Sequence, residues 1–171
     1  MDNHFALFQM PVRFDIDAGQ LESAYRELQS RVHPDKFAAA TDAEKRVAMQ
    51  WATRANEAYQ TLKHPLKRAA YLCELNGVDL GIESNTAMPP AFLMQQMEWR
   101  EALDEARDAR DVGALERLES ELGDVRRERL AQISGLFNAG DYEAAGAQVR
   151  QLMFLEKFGE DVGRAFEAIE A

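Results

Sequence analysis

The sequence predicts an all-α protein in two parts, an N-terminal helical hairpin unit and a C-terminal three-helix bundle. Three observations carry that prediction. Apolar residues recur at helical spacing along most of the chain, and no stretch reads as a β-strand of substance. Prolines and glycines interrupt the pattern at Pro11, Pro34, Pro65, Gly77 and the Pro89-Pro90 pair, which leaves short elements before residue 77 and long ones after residue 90. Charge divides at the same place. Residues 1–76 hold ten Lys or Arg against ten Asp or Glu, whereas the remainder holds ten against twenty and supplies the whole net charge of −10.

The first element is a short helix over residues 5–10, ended by Pro11, with Phe5, Leu7 and Phe8 turned inward and an irregular connection over 12–17. Asp17 is placed to cap the next helix, whose Leu21, Tyr25 and Leu28 share one face. Proline drives the residue before it out of the helical region, so this helix ends at about His33. A third helix starts at Thr41 or Asp42, with Glu44 in capping-box position behind Thr41. Its inner stripe is Val47, Trp51, Ala55, Ala58, Tyr59 and Leu62, with Trp51 read as core, and the short loop makes it an antiparallel neighbour of the second helix. His64-Pro65 stops it, with His64 a solvated or capping residue, and Leu66 opens a fourth helix that runs through Leu75 to Asn76-Gly77. Cys73 is the only cysteine, so no internal disulfide forms; its apolar helical neighbours mark it as a buried bystander.

Between the second and third helices stand Arg31-Val32-His33-Pro34-Asp35-Lys36-Phe37. An imidazole, a rigid ring and a carboxylate lie side by side there with little nearby to bury them, which suits contact with a partner. Arg26 and Arg31 fall away from the apolar stripe of the second helix. The loop and its flanks, Phe5-Ala6-Leu7-Phe8, Tyr25-Arg26-Glu27-Leu28 and Asn56-Glu57-Ala58-Tyr59-Gln60-Thr61-Leu62, together resemble the J-domain family. The resemblance implies that residues 1–76 form a J-domain hairpin that docks on a DnaK-type chaperone ATPase. His33, Pro34, Asp35, Lys36, Arg26 and Arg31 are the matching contacts. Gln29 and Ser30 stand where many J-domains are basic, and Val32 replaces a common tyrosine, so this basic face is thinner than usual.

Residues 77–90 contain two glycines, Asn85 and the proline pair, and read as a linker region. Residues 91–171 then read as three long helices over about 91–109, 112–138 and 142–169, with breaks at Asp111 and Ala139-Gly140-Asp141. Gly113, Gly123, Gly135, Gly146, Gly159 and Gly163 each weaken that pattern by about 1 kcal/mol against alanine. In the first of these helices Phe92, Gln96, Trp99, Leu103 and Ala106 form the stripe that faces the bundle. Leu93, Met94, Met97, Glu98, Glu101 and Glu105 spread over an adjacent face that mixes apolar groups with carboxylates. Such a face can cover a partner's apolar patch and pair with its cations at the rim; the same pattern also fits a broad core stripe with a solvated acidic flank. Leu152-Met153-Phe154-Leu155 is apolar for longer than one turn, so one of the four faces outward.

Composition excludes several classes of function. An acidic second half and a sequence pI near 4.8 argue against nucleic acid or an anionic membrane as the main partner. No apolar run is long enough to span a membrane and no leader is evident, so a cytoplasmic protein is expected. His4, His33 and His64 stand in different local contexts, and no cluster has metal-ligand spacing, so neither an enzyme nor a bound metal or other cofactor is expected.

The order of the parts carries a second resemblance. A J-domain-like unit, His64-Pro65-Leu66 leading into a fourth helix, a brief linker, and an acidic bundle bearing Phe92-Leu93-Met94 and Arg100-Glu101 together resemble the HscB family of iron–sulfur co-chaperones. The similarity runs from Phe5 to about Phe158. It implies that the C-terminal unit binds the scaffold protein IscU through Leu93, Met94, Met97, Glu98, Glu101, Glu105 and Phe154. It further implies that the J-domain engages the chaperone HscA and stimulates its ATP hydrolysis. Met97 stands where leucine is expected and His4 where an aromatic is common; the N-terminal CxxC of some eukaryotic relatives is missing, which implies a bacterial-type member without a zinc site. A J-domain protein delivering another client to a DnaK-type chaperone keeps the reading of the loop and loses only the cargo.

Overall fold

The computed structural model describes residues 3–81 and 88–171; Met1, Asp2 and the middle of the expected linker, Asn85 included, lie outside the described residues. Among the described residues there is no strand. The chain divides into two compact units, Met1–Leu75 and Asn76–Ala171.

The first unit contains α1 (His4–Leu7), α2 (Ala18–Arg31), a 3₁₀ turn (Pro34–Phe37), α3 (Asp42–Lys63) and α4 (Pro65–Leu75). Side chains cap the helix starts: Asn3, Asp17 and Thr41 accept from the N–H groups of Ala6, Gln20 and Glu44 at 2.8, 3.1 and 3.2 Å. Each cap satisfies a donor that the helix itself leaves without a partner. The helix expected over 5–10 stops at Leu7, because Gln9 adopts φ 54° and the Met10 N–H turns back to the Phe5 carbonyl at 2.9 Å. Phe5 and Phe8 are buried as expected, but Leu7 is only half-buried; Met10 and Phe14 join the interior instead.

The α2–α3 hairpin is the frame of this unit, with α1 and α4 also packed on α3. The inner stripe of α3 differs from the one expected at Val47 and Trp51. Ala48, Ala55, Ala58 and Leu62 are buried, while Val47 and Trp51 are 51 and 39 % exposed, and the Arg54 guanidinium lies 5.4 Å from the Trp51 ring centroid. An element packed by three neighbours favours small side chains where backbones approach, and a one-residue shift turns the helix face by about 100°. Arg68 is buried and ties the unit together: Nε donates to the Phe14 carbonyl at 2.6 Å and Nη1 to the Leu62 carbonyl at 2.7 Å. Cys73 is fully buried, and Gly77, at φ 71°, follows the end of α4.

The second unit is a bundle of α5 (Pro90–Asp108), α6 (Val112–Asn138) and α7 (Tyr142–Glu170). Asp111 and Asp141 cap α6 and α7 by accepting from Ala114 and Ala144. Leu103, Leu115, Ile133, Val149, Leu152 and Leu155 are completely buried at its centre. The helices run through their glycines. At Gly159 the reason is visible: a Cβ there would stand 2.9 Å from Arg126 Nη2 and 3.3 Å from Leu122 Cδ2, so its absence lets α6 side chains lie against α7. Ahead of α5, Val78 is buried and Arg150 Nη1 donates to the Asp79 carbonyl at 3.2 Å, which holds that segment against α7.

Candidate functional site

In the first unit the candidate surface is the turn after α2. His33 is extended (φ −61°, ψ 137°), as a residue before proline must be, and closes the 3₁₀ turn from both its side chain and its backbone. Its Nδ1 accepts the Asp35 N–H at 3.2 Å, and its carbonyl accepts the Lys36 N–H at 3.0 Å. Accepting at Nδ1 leaves the proton of the neutral ring on Nε2. Asp35 Oδ2 stands 3.6 Å from Nδ1 and forms an ion pair only with a protonated ring. The two side chains are 58 and 92 % exposed, so the rigid turn offers both groups to solvent.

Arg26, Gln29, Ser30, Val32, His33, Pro34, Ala52 and Asn56 line a shallow cleft of about 410 Å³ beside this turn. Two of its lining residues, Gln29 and Asn56, are tied to Tyr25 behind them. Tyr25 stacks on Tyr59 with ring centroids 4.1 Å apart, its hydroxyl donates to Asn56 Oδ1, and Gln29 Nε2 donates to the same hydroxyl at 2.9 Å. The parts played by Ala52 and Asn56 were missed from the sequence, although their i,i+4 spacing puts them on one side of α3. Arg26 pairs with Glu22 at 2.6 Å and Arg31 with Glu27, each one turn back on α2, whereas Lys36 makes no ion pair among the described residues. Exposed pairs of this kind contribute only about 0.2–1 kcal/mol each, so a partner's carboxylates can displace the glutamates.

In the second unit the face expected on α5 is open. Leu93, Met94 and Met97 are 47, 61 and 71 % exposed, so they are no part of a core stripe, and Glu98, Glu101 and Glu105 are exposed beside them. Of the four apolar residues Leu152 to Leu155, Phe154 is the one turned out; its ring meets the buried Phe92 edge-on at 6.5 Å, which sets it beside the start of α5. Leu93, Met97, Glu101 and Glu105 share a shallow groove of about 660 Å³ with Gln96, Arg100, Asp104 and Asp108. Met94, Glu98 and Phe154 are exposed outside that lining. Asp104 and Asp108 were missed from the sequence, although they continue the helical row of Met97 and Glu101. Among the described residues no group of three or more His, Cys, Asp or Glu side chains could hold a metal ion, and no helix is long and apolar enough to cross a membrane.

A helical hairpin that presents an exposed His-Pro-Asp turn defines a J-domain protein, here one with a second helical unit of its own. The DnaJ domain family matches residues 9–71, and the family described as HSCB C-terminal oligomerisation domain matches residues 88–163. The chain is 58 % identical over 169 residues to the co-chaperone protein HscB homolog of Burkholderia mallei (strain SAVP1), covering 99 % of this chain and 97 % of that protein. To the homolog of Paraburkholderia xenovorans (strain LB400) it is 56 % identical with the same coverage. The chain belongs to the HscB family of J-domain co-chaperones. Among solved structures it is similar to chaperone HscB from Vibrio cholerae, with TM-score 0.86, 38 % identity, and 98 and 99 % of the two chains covered. It is also similar to human co-chaperone protein HscB, with TM-score 0.90, 29 % identity, and 96 and 82 % covered. A co-chaperone of this family supports iron–sulfur cluster assembly, and its J-domain implies a DnaK-type chaperone as partner.

Proposed function

We propose that this chain binds the scaffold protein IscU on the α5 face, delivers it to HscA in the cytoplasm, and stimulates ATP hydrolysis by HscA through the His33 turn. One observation supports this reading above the others. The two units expose surfaces of different chemistry, a polar turn flanked by cations and an apolar face rimmed by carboxylates. A net charge of −10 favours protein partners over nucleic acid or anionic membrane.

The mechanism is one of linkage. A J-domain that prefers the ATP-bound arrangement of HscA biases the chaperone toward the state that hydrolyses, with the chemistry itself remaining in HscA. His33, Pro34 and Asp35 form the rigid contact, and Lys36, Arg26 and Arg31 supply the cations around it. IscU held through Leu93, Met94, Met97 and Phe154, with Glu98, Glu101 and Glu105 at the rim, is carried to HscA by the same chain, which raises its effective concentration there. The test is steady-state ATP hydrolysis by HscA in the presence of IscU, with either the wild-type chain or His33→Gln added. Stimulation by the wild type alone is the expected result. Equal stimulation by both, or none by either, refutes the reading.

A further inference from the structure

Arg100 interrupts the acidic row of α5, and the fold holds it aside. The groove along this helix runs from Leu93 and Met97 to Glu101, Asp104, Glu105 and Asp108, with Arg100 in its lining. A free arginine at this position lies one helical turn from Met97 on one side and from Asp104 on the other, over the row that would meet a partner's cations. Instead its Nη2 donates to Asp161 Oδ2 of α7 at 2.8 Å, and the guanidinium rests 5.2 Å from the ring centroid of buried Phe158. The Asp161 side chain is 19 % exposed against 49 % for Arg100, so the carboxylate is the anchored member of the pair. Arg164, one turn further along α7, donates to its other oxygen. The hydrogen bond from Arg100, aided by Arg164, holds the Asp161 carboxyl below its ordinary pKa, so it stays ionised and keeps its hold on the cation.

We infer that Asp161 is a positioning residue for partner binding: by drawing Arg100 back against Phe158, it leaves Glu101 and Glu105 of α5 open to the cations of a basic partner surface, while Asp104 is held by Arg107 at 3.0 Å. This rests on the reading of the α5 face as the scaffold-binding surface. The position is distant in sequence from every acidic residue it protects, and it acts on the partner only through Arg100. Released from Asp161, Arg100 swings over the acidic row toward Asp104, where it adds a second cation beside Arg107 and repels the incoming one.

Binding of purified IscU to the full chain, measured by titration calorimetry at low and high salt, tests this with the wild type, Asp161→Asn and the double variant Asp161→Asn with Arg100→Gln. The single variant is expected to bind about three- to tenfold more weakly at low salt, with a shallower salt dependence, because rim charges act through screened steering. The double variant is expected to recover wild-type affinity, since the misplaced cation is gone. A tie that mattered only for the stability of the bundle would leave the double variant no better than the single. Unchanged affinity in Asp161→Asn, or a double variant as weak as the single, overturns the inference. Failure of the wild type itself to bind IscU overturns both the inference and the functional reading beneath it.

Discussion

Replacing Arg68 by methionine removes the charge that ties the first unit together while keeping most of the stem that packs there. Arg68 is 9 % exposed and donates to two backbone carbonyls, those of Phe14 and Leu62, whose residues are themselves buried; its guanidinium also lies 4.7 Å from the Phe14 ring centroid. A hydrogen bond from a charged donor is worth about 1.5–3 kcal/mol, and a buried acceptor left unmade costs about 1–3 kcal/mol. Against this stands the cost of burying the cation, which also lowers the Arg68 pKa from its ordinary value, so the two losses do not add in full. The net expectation for Arg68→Met is a destabilisation of about 2–4 kcal/mol, or roughly 10–25 °C in Tm for a unit of this size. The chain has two tryptophans, Trp51 in the first unit and Trp99 in the second, so urea unfolding followed by Trp51 fluorescence in a Trp99→Phe background reports the first unit alone. A loss below about 1 kcal/mol would refute the reasoning, because two buried carbonyls would then be satisfied without the guanidinium.

Phe154→Ala should weaken IscU binding about tenfold or more, as truncation of a central aromatic contact does, while the helical circular dichroism signal is unchanged; full affinity would remove Phe154 from the interface. His4 gives a pH-dependent prediction. Its ring stacks on Tyr71 at 4.4 Å, and burial, the largest cause, lowers its pKa from the ordinary 6.5, with Glu57 opposing and Arg54 assisting. The unfolded chain therefore takes up the proton first, so stability is full above about pH 6.5 and is lost as pH falls from there toward the folded-state value. His4→Phe should flatten the difference in urea midpoint between about pH 7.5 and pH 5.5, and an equal slope in both proteins would show that His4 does not contribute.

How much of this was legible beforehand depends on how local the governing chemistry is. The caps at Asp17 and Thr41, the stop before Pro34 and the turn at Gly77 each involve only residues a few positions apart, and all were readable as written. The exposure of the His33 turn belongs to the same class. The outward face of α5 was half legible: helical spacing turned Phe92, Trp99, Leu103 and Ala106 to the bundle, and only the packing of the three helices decided that Leu93, Met94 and Met97 stay uncovered rather than widening the core stripe. Trp51 shows the limit of pattern. Its size and spacing marked it for the interior, and the close approach of α3 to its neighbours chose Ala48 instead.

By itself, the sequence determined the helices, most of their ends, the exposed His-Pro-Asp turn and the uneven charge of the two halves, because these follow from backbone dihedrals, side-chain caps and composition. Only the tertiary structure decided that the Tyr25 hydroxyl bonds to Asn56 across the hairpin, why Gly159 is tolerated in α7, and that Arg100 is held by a carboxylate 61 residues away. Those outcomes depend on atoms brought together by the packing of one helix on another, and helical periodicity reports only that a face exists, not what lies across from it.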